Sequence, residues 1–279
     1  TELTEKFGGS AYSMGLSVFT TIQAQHQQAA NSALQSALIS YDKRHGYRGP
    51  IEHIDLPHDL TTESLELLLS ETNSIGPLHP GLVISTQENV ANIYIKGRGL
   101  TNISIKDLFW ARKQLNTNAM GRRPSKVEDV FIAGDIIRLH QDALGQWRLT
   151  QLPEAEGALI ALSPDNGAIT ALNGGFEYYN SKFNRVTQSR RQPGSGFKPF
   201  IYSAALERGY TPATIINDAP VVFDDPGLEN AWRPSNYSGK FFGPTRLRVA
   251  LTNSRNLVSI RLLRDISPTY AINYASRFG

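Results

Sequence analysis

No cysteine occurs among the 279 residues, which excludes a thiolate nucleophile, a thiolate metal centre and a disulfide framework. Histidine is scarce and stops early. The last of six is His140, so the second half of the chain offers no imidazole to a Ser-His-Asp relay. No run of about 18 apolar residues reads as a membrane span, and the opening residues lack a signal-peptide pattern. Charge of one sign is missing too: 28 Lys and Arg against 25 Asp and Glu leave a net +3, which argues neither for nor against a nucleic-acid partner.

What is present is a globular composition, 40% hydrophobic over 30.8 kDa, with room for two or three cores. From the N-terminus, Leu16 to Ile22 reads as a strand and Gln23 to Tyr41 as a helix with the stripe Ala30, Ala33, Leu34, Ala37, Leu38 and Tyr41. A turn-rich Lys43 to Pro50 follows. The next helix starts near Thr61 or Thr62, with Leu65, Leu68 and Leu69 facing inward. His53, Asp55, His58 and Asp59 could be drawn as a metal cluster, but no helical or strand spacing aligns them, and polar loop residues are the expectation. From Gly81 short strands dominate: Leu82 to Thr86, Ala91 to Lys96, Val130 to Ala133, Ile136 to Leu139 and Gln146 to Thr150, with a helical turn at Asp107 to Arg112. This spacing predicts a small barrel of the OB type. Lys96, Arg98, Arg122, Arg123 and Trp110 would be its nucleic-acid contacts, but the basic residues are scattered rather than interleaved with aromatics, so no nucleic acid is expected. Beyond Leu152, Gly157 to Ser163 and Ala168 to Asn173 flank Pro164-Asp165-Asn166-Gly167 as a hairpin, apolar enough to be central strands buried on both faces.

The chemistry concentrates in Arg190-Arg191-Gln192-Pro193-Gly194-Ser195-Gly196-Phe197-Lys198-Pro199-Phe200. A helix from about Ser195 to Arg208, with Pro199 in its first turn and Gly209 as its stop, sets Lys198 nearly one turn after Ser195. Hydroxyl and amine then share a face. A serine needs a base to take its proton, and lysine serves only when neutral, so burial beside Phe197 and Phe200 and the helix N-terminus would have to lower its pKa. The Ser195 N–H at that terminus is a candidate oxyanion donor. Ser40-Tyr41-Asp42-Lys43 carries the same Ser-x-x-Lys spacing, but as a solvated helix face. Only the Ser195 copy follows a Pro-Gly turn, and only it has a plausible third partner in Ser254-Arg255-Asn256, the sole Ser-x-Asn in the chain. That triplet falls at the junction of two helical segments, Thr245 or Arg246 to Leu251 and Leu257 to Ile266. An α/β-hydrolase elbow fails because Pro193 and Phe197 flank Ser195 where glycines are required. Arg185, Arg190, Arg191 and Arg255 either steer an acidic peptide or form a solvated rim.

Taken together, Arg191 to Phe200, Ser254-Arg255-Asn256, Trp232 to Tyr237 and Gly243-Pro244-Thr245 resemble the transpeptidase domain of class A penicillin-binding proteins. Tyr41 to Pro50 and the OB-like stretch resemble the 1a type of Gram-negative bacteria. The fold class implied is α/β (α+β) multidomain: a linker region at 1–76, an OB-fold-like insert at 77–151, and the N-terminal part of a penicillin-binding/serine β-lactamase-like transpeptidase domain at 152–279. By the resemblance Ser195 is the acylated nucleophile and Lys198 its general base, Ser254 relays a proton toward the leaving amine, and Asn256 hydrogen-bonds the substrate. The implied reaction is D,D-transpeptidation of D-Ala-D-Ala stem peptides at the periplasmic face of the inner membrane, with lipid-linked glycan strands and β-lactams as further ligands and no cofactor. A regulatory protein partner is a further candidate, at the OB-like insert. The family's third motif, Lys-Thr-Gly or Lys-Ser-Gly, does not occur in these residues. It is expected beyond Gly279, with more of the sheet. Thr1 and Gly279 read as cut points, with a glycosyltransferase domain and membrane anchor expected upstream. A D,D-carboxypeptidase relative and a non-catalytic OB-containing scaffold for protein or glycan partners are the alternatives, separated by how the ester is resolved and by penicillin reactivity.

Overall fold

Alternation of apolar residues, not overall hydrophobicity, decides where the first core lies. The computed structural model describes residues 2–222 and 232–278, so Thr1 and Gly279 lie outside it. The chain divides into two compact units, 1–189 and 190–279. The first runs α1 (Glu2–Phe7), α2 (Ala24–Lys43), β1 (Glu52–His53), α3 (Thr62–Leu68), β2 (His79–Gln87), β3 (Val90–Ile95), β4 (Gly99–Ser104), β5 (Gln114–Asn116), β6 (Ala119–Met120), β7 (Asp135–Gln141), β8 (Trp147–Thr150), β9 (Leu159–Leu162) and β10 (Ile169–Asn173). β1, β7, β2, β3 and β4 form one antiparallel sheet in that order, with β8 also on β7. Ile93 and Ile95 share a face with Ile137, Leu139 and Leu149, all inaccessible to solvent. Tyr94, one step along the pleat, turns to the other face with Leu82 and Ile136, where Leu65 and Leu69 of the α3 segment cover them. Thr61 starts α3 by accepting from Ser64 N (3.2 Å), while Ser64 Oγ accepts from Thr61 N (3.0 Å).

The end of α2 is tied to the segment that follows β8 by one buried carboxylate. Asp42 accepts from Arg48 Nη1 and Nη2 (2.9 and 3.1 Å) and from Gln151 Nε2 (2.6 Å). This changes the expected stripe of α2. Ala30, Leu34, Leu38, Ile39 and Asp42 are buried, whereas Ala33, Ala37 and Tyr41 are exposed. The face bearing Ser40 and Lys43 is only partly solvated, since Lys43 Nζ stands 5.1 Å over the Trp110 ring.

Other expectations are corrected as well. Leu16 to Ile22 forms no strand: it is extended but unladdered, with Phe19 95% exposed, and Thr21 Oγ1 donates to the Ile169 carbonyl while Gln23 N, just beyond the segment, donates to the Thr170 carbonyl. Val130 to Ala133 is irregular because a 3-10 turn at Val127–Asp129 precedes it and buries Phe131 instead of pairing it. The helical turn expected at Asp107 to Arg112 lies earlier, at Ile105–Leu108, capped by Ser104. β4, too polar in pattern to be legible alone, pairs fully with β3. β9 and β10 pair as expected, but among the described residues only with each other, so Ile160 and Leu162 are 45% and 55% exposed rather than buried on both faces. His53 Nδ1 bonds Asp135 Oδ1 at 2.8 Å. Lys96 donates to the Ser70 and Thr72 carbonyls, and Arg123 stacks on Phe109.

The second unit contains α4 (Lys198–Glu207), β11 (Ile215–Asp218), β12 (Gly243–Arg246), α5 (Leu247–Thr252), α6 (Asn256–Ile266) and α7 (Pro268–Ala275). Its core packs Ile201, Ala204 and Ala205 of α4 against Leu247 and Ala250 of α5 and Val258, Leu262 and Ile266 of α6. The alanines let the helix backbones approach closely. Gly209, at φ 91°, ends the α4 segment in the left-handed region that glycine enters without strain. β11 and β12 form an antiparallel pair that no sequence pattern had announced, Ile215 opposite Arg246 through Asp218 opposite Gly243.

Candidate active site

Ser195 lies in a 3-10 turn, Gly194–Phe197, that runs directly into α4, with Pro199 at its start. Gly194, at φ 56°, makes the turn. Lys198, the first residue of α4, is 8% exposed. Its Nζ donates to the Ser254 carbonyl oxygen (2.7 Å), Ser254 Oγ (2.9 Å) and Asn256 Oδ1 (2.7 Å). Ser254 and Asn256 therefore meet Lys198 directly, across 56 and 58 residues of chain. Ser195 lines the same cleft and is exposed; among the described residues its hydroxyl has no hydrogen-bond partner. The cleft, about 410 Å³, also presents Phe197, Ile201, Trp232, Ser235, Ser259 and Leu263.

The junction of α5 and α6 makes this contact possible. Ser254 has φ 51°, a left-handed conformation that costs a residue with a Cβ about 1–2 kcal/mol. Such strain persists where the surroundings over-determine it. Here it turns both the carbonyl and the hydroxyl of one residue toward one amine. Arg255 lies with its guanidinium 3.3 Å from the Phe242 ring centroid. Asn256 is held twice: its Nδ2 donates to the Ser235 carbonyl (3.0 Å) and its backbone N to Asn236 Oδ1 (2.8 Å).

Burial pushes the Lys198 ammonium below its ordinary value, because the charged form loses its hydration. No carboxylate among the described residues bonds it to offset that loss. Two of its three partners, the Ser254 carbonyl and Asn256 Oδ1, can only accept. The Ser254 hydroxyl can also donate, so in the neutral amine it is the partner able to face the nitrogen lone pair. The set can thus move a proton between an amine and a hydroxyl beside an exposed serine.

Sequence reasoning missed Ser235 and Asn236, which bond Asn256, and Ser259, which lines the cleft. Only the motif context of Trp232 to Tyr237 carried a signal. Of the arginines considered for steering, Arg185 pairs with Glu156 (3.3 Å) and Arg255 stacks on Phe242.

Family-level comparison agrees with this architecture. Residues 47–155 match the penicillin-binding protein OB-like domain and residues 157–279 the penicillin binding protein transpeptidase domain. The fold and its serine–lysine cleft are thus of the penicillin-binding transpeptidase class. The chain is similar to penicillin-binding protein 1A of Pseudomonas aeruginosa (42% identity, 100% of this chain, 34% of the relative) and of Vibrio cholerae (41%, 99% and 34%). The 2.6 Å crystal structure of penicillin-binding protein 1A from Haemophilus influenzae superposes with a TM-score of 0.83 at 36% identity, covering all of this chain and 40% of that one. The chain belongs to the class A penicillin-binding proteins of the 1a type. It spans about a third of the length of the curated relatives it matches.

Proposed function

We propose that this chain carries the nucleophile half of a peptidoglycan D,D-transpeptidase site. The observation that supports this most directly is a buried, carboxylate-free lysine bonded to both Ser254 and Asn256 in the cleft that Ser195 lines. In this reading neutral Lys198 takes the proton of Ser195 as Oγ attacks the carbonyl carbon of the D-Ala-D-Ala bond. An ester forms at Ser195, the C–N bond breaks, and D-Ala leaves with a proton delivered through Ser254. An amine from a neighbouring stem peptide then attacks the ester, forming the cross-link and returning the proton to Ser195. Asn256 presents its amide to the peptide while its Oδ1 holds Lys198.

β-Lactams acylate the same serine by opening their ring amide, with no leaving group lost. Stem peptides and lipid-linked glycan strands are the substrates, and the periplasmic face of the inner membrane is the location. No described helix is long and apolar enough to cross a membrane. The domain reading takes 1–76 as linker, with β1 and α3 of that stretch packed on the OB-like sheet, 77–151 as the OB-like insert and a docking candidate for a regulatory protein, and 152–279 as transpeptidase. Intact mass before and after incubation with a penicillin, followed by peptide mapping, tests the proposal. A gain equal to the penicillin mass at Ser195 is expected. Absence of the adduct on folded protein, or its location at another serine, overturns the assignment.

A further inference from the structure

One buried carboxylate takes no part in the chemistry above, yet it stands at the end of a hydrogen-bonded chain leading into it. Asp218, the last residue of β11, is fully inaccessible to solvent. Burying a carboxylate is costly unless donors replace its water. Its two oxygens accept from Asn236 Nδ2 at 2.8 and 3.0 Å, and the same Nδ2 donates to the Lys240 carbonyl at 2.9 Å. Asn236 is itself 4% exposed. Its Oδ1 accepts from the backbone N of Asn256 (2.8 Å) and of Leu257 (3.4 Å), the first two residues of α6.

This arrangement admits one amide orientation. Nδ2 faces only acceptors and Oδ1 faces only donors, so a flipped amide would lose every bond. It also answers a need at the start of α6. The first N–H groups of a helix lack partners, and Ser, Thr, Asp or Asn normally supplies one from the cap position. Here Arg255 holds that position, which has no acceptor to give, and its side chain makes no cap bond. Asn236, 20 residues earlier in the chain, caps α6 from outside. Asn256, the residue so capped, bonds Lys198 Nζ with its own Oδ1.

We infer that Asn236 and Asp218 act as a positioning pair: Asp218 locks the Asn236 amide, and Asn236 sets the first turn of α6 so that Asn256 and Ser254 meet Lys198. The inference rests on the acyl-transfer reading proposed above. Neither residue touches the reacting atoms. Their influence on the reaction runs through the hydrogen bonds that Lys198 donates to Ser254 and Asn256 at the α5–α6 junction.

The test uses the full-length protein and a fluorescent penicillin, with acylation rate measured against pH and normalised to folded protein by thermal unfolding. Asn236→Ala is expected to slow acylation by about tenfold to a hundredfold, the scale of an ångström-level misplacement. It should also move the rising limb of the pH profile to lower pH. Asn256 Oδ1 accepts from the ammonium and so favours the protonated form, and a loosened Asn256 releases that hold. The groups facing Lys198 are Ser254 and Asn256 from the α5–α6 junction and Ser195 from its own segment, with no ionised partner among the described residues to produce the shift instead. Where Asn236→Ala does not fold, two further variants decide. Asn236→Asp sets two buried carboxylates together and should lower the rate, and Asp218→Asn combined with Asn236→Asp restores the donor–acceptor pair between the two positions, though not the bond to the Lys240 carbonyl, and should recover part of it. A folded Asn236→Ala variant with the normal rate and pH limb overturns the inference, as does an exchange pair that regains its unfolding temperature without its rate. If the unaltered protein is not acylated at all, the acyl-transfer reading falls first, and this inference with it.

Discussion

Replacing Lys198 separates the hydrogen bonds it donates from the base role proposed for it. As an ordinary lysine of pKa 10.5, it would be neutral in about one molecule in three thousand at pH 7. Each unit of depression by burial multiplies that fraction about tenfold, which is how burial at an 8% exposed position suits the proposed base role. Lys198→Met fills the same space but removes the base and all three hydrogen bonds to Ser254 and Asn256. Lys198→Arg retains donors for the Ser254 carbonyl and Asn256 Oδ1, yet a guanidinium does not deprotonate in a protein. General-base loss costs about 10²- to 10⁴-fold, or about 3–5 kcal/mol of barrier. Both variants should therefore fall by that factor in the rate of acylation by a fluorescent β-lactam, read by stopped sampling and gel fluorescence. In the unaltered protein the rate should rise with pH along a limb set below the ordinary lysine value, because only the neutral amine accepts a proton. A Lys198→Arg protein that acylates within about threefold of normal would refute the reasoning, since donation alone would then suffice.

Two further predictions concern the first unit. Asp42→Ala removes the buried carboxylate that Arg48 and the Gln151 amide share, leaving them the Leu152 and Gly46 carbonyls; it should cost about 3 kcal/mol in urea-induced unfolding, and a loss under about 1 kcal/mol would show the carboxylate to be dispensable. Glu66 accepts from Tyr94 Oη (2.6 Å) and Gly97 N (2.7 Å); both bonds hold its carboxyl below the ordinary value, and the Tyr94–Glu66 bond together with burial pushes the Tyr94 phenol up to about 12. A carboxyl depressed by folding gives stability that is present above its unfolded pKa and lost as pH falls through the folded one. Glu66→Gln should accordingly flatten the loss of urea midpoint between neutral pH and the acid side of the carboxylate range, and an unchanged slope would remove Glu66 from the acid response.

The sequence alone determined the local elements whose causes are local. Thr61 and Ser64 write a capping box, Pro199 and Gly209 bracket α4, and Pro164 to Gly167 turn a hairpin, because each signal acts within a few residues. The Ser-x-x-Lys spacing of Ser195 and Lys198 and the singling out of Ser254-Arg255-Asn256 were legible as motif spacing on short segments; the structure brings Lys198 to Ser254 and Asn256, while the Ser195 hydroxyl has no hydrogen-bond partner among the described residues. Tertiary structure decided what no spacing encodes. That Lys198 bonds Ser254 and Asn256 depends on packing α4 against α5 and α6, and on a serine at φ 51° that propensity disfavours. That Asn236 caps a helix begun by Arg255 joins residues 20 apart through a side chain. That Leu16 to Ile22 stays outside any ladder, while the polar β4 enters one, follows from which edges have partners. Strand propensity describes a surface to be covered, and only the folded neighbours determine whether anything covers it.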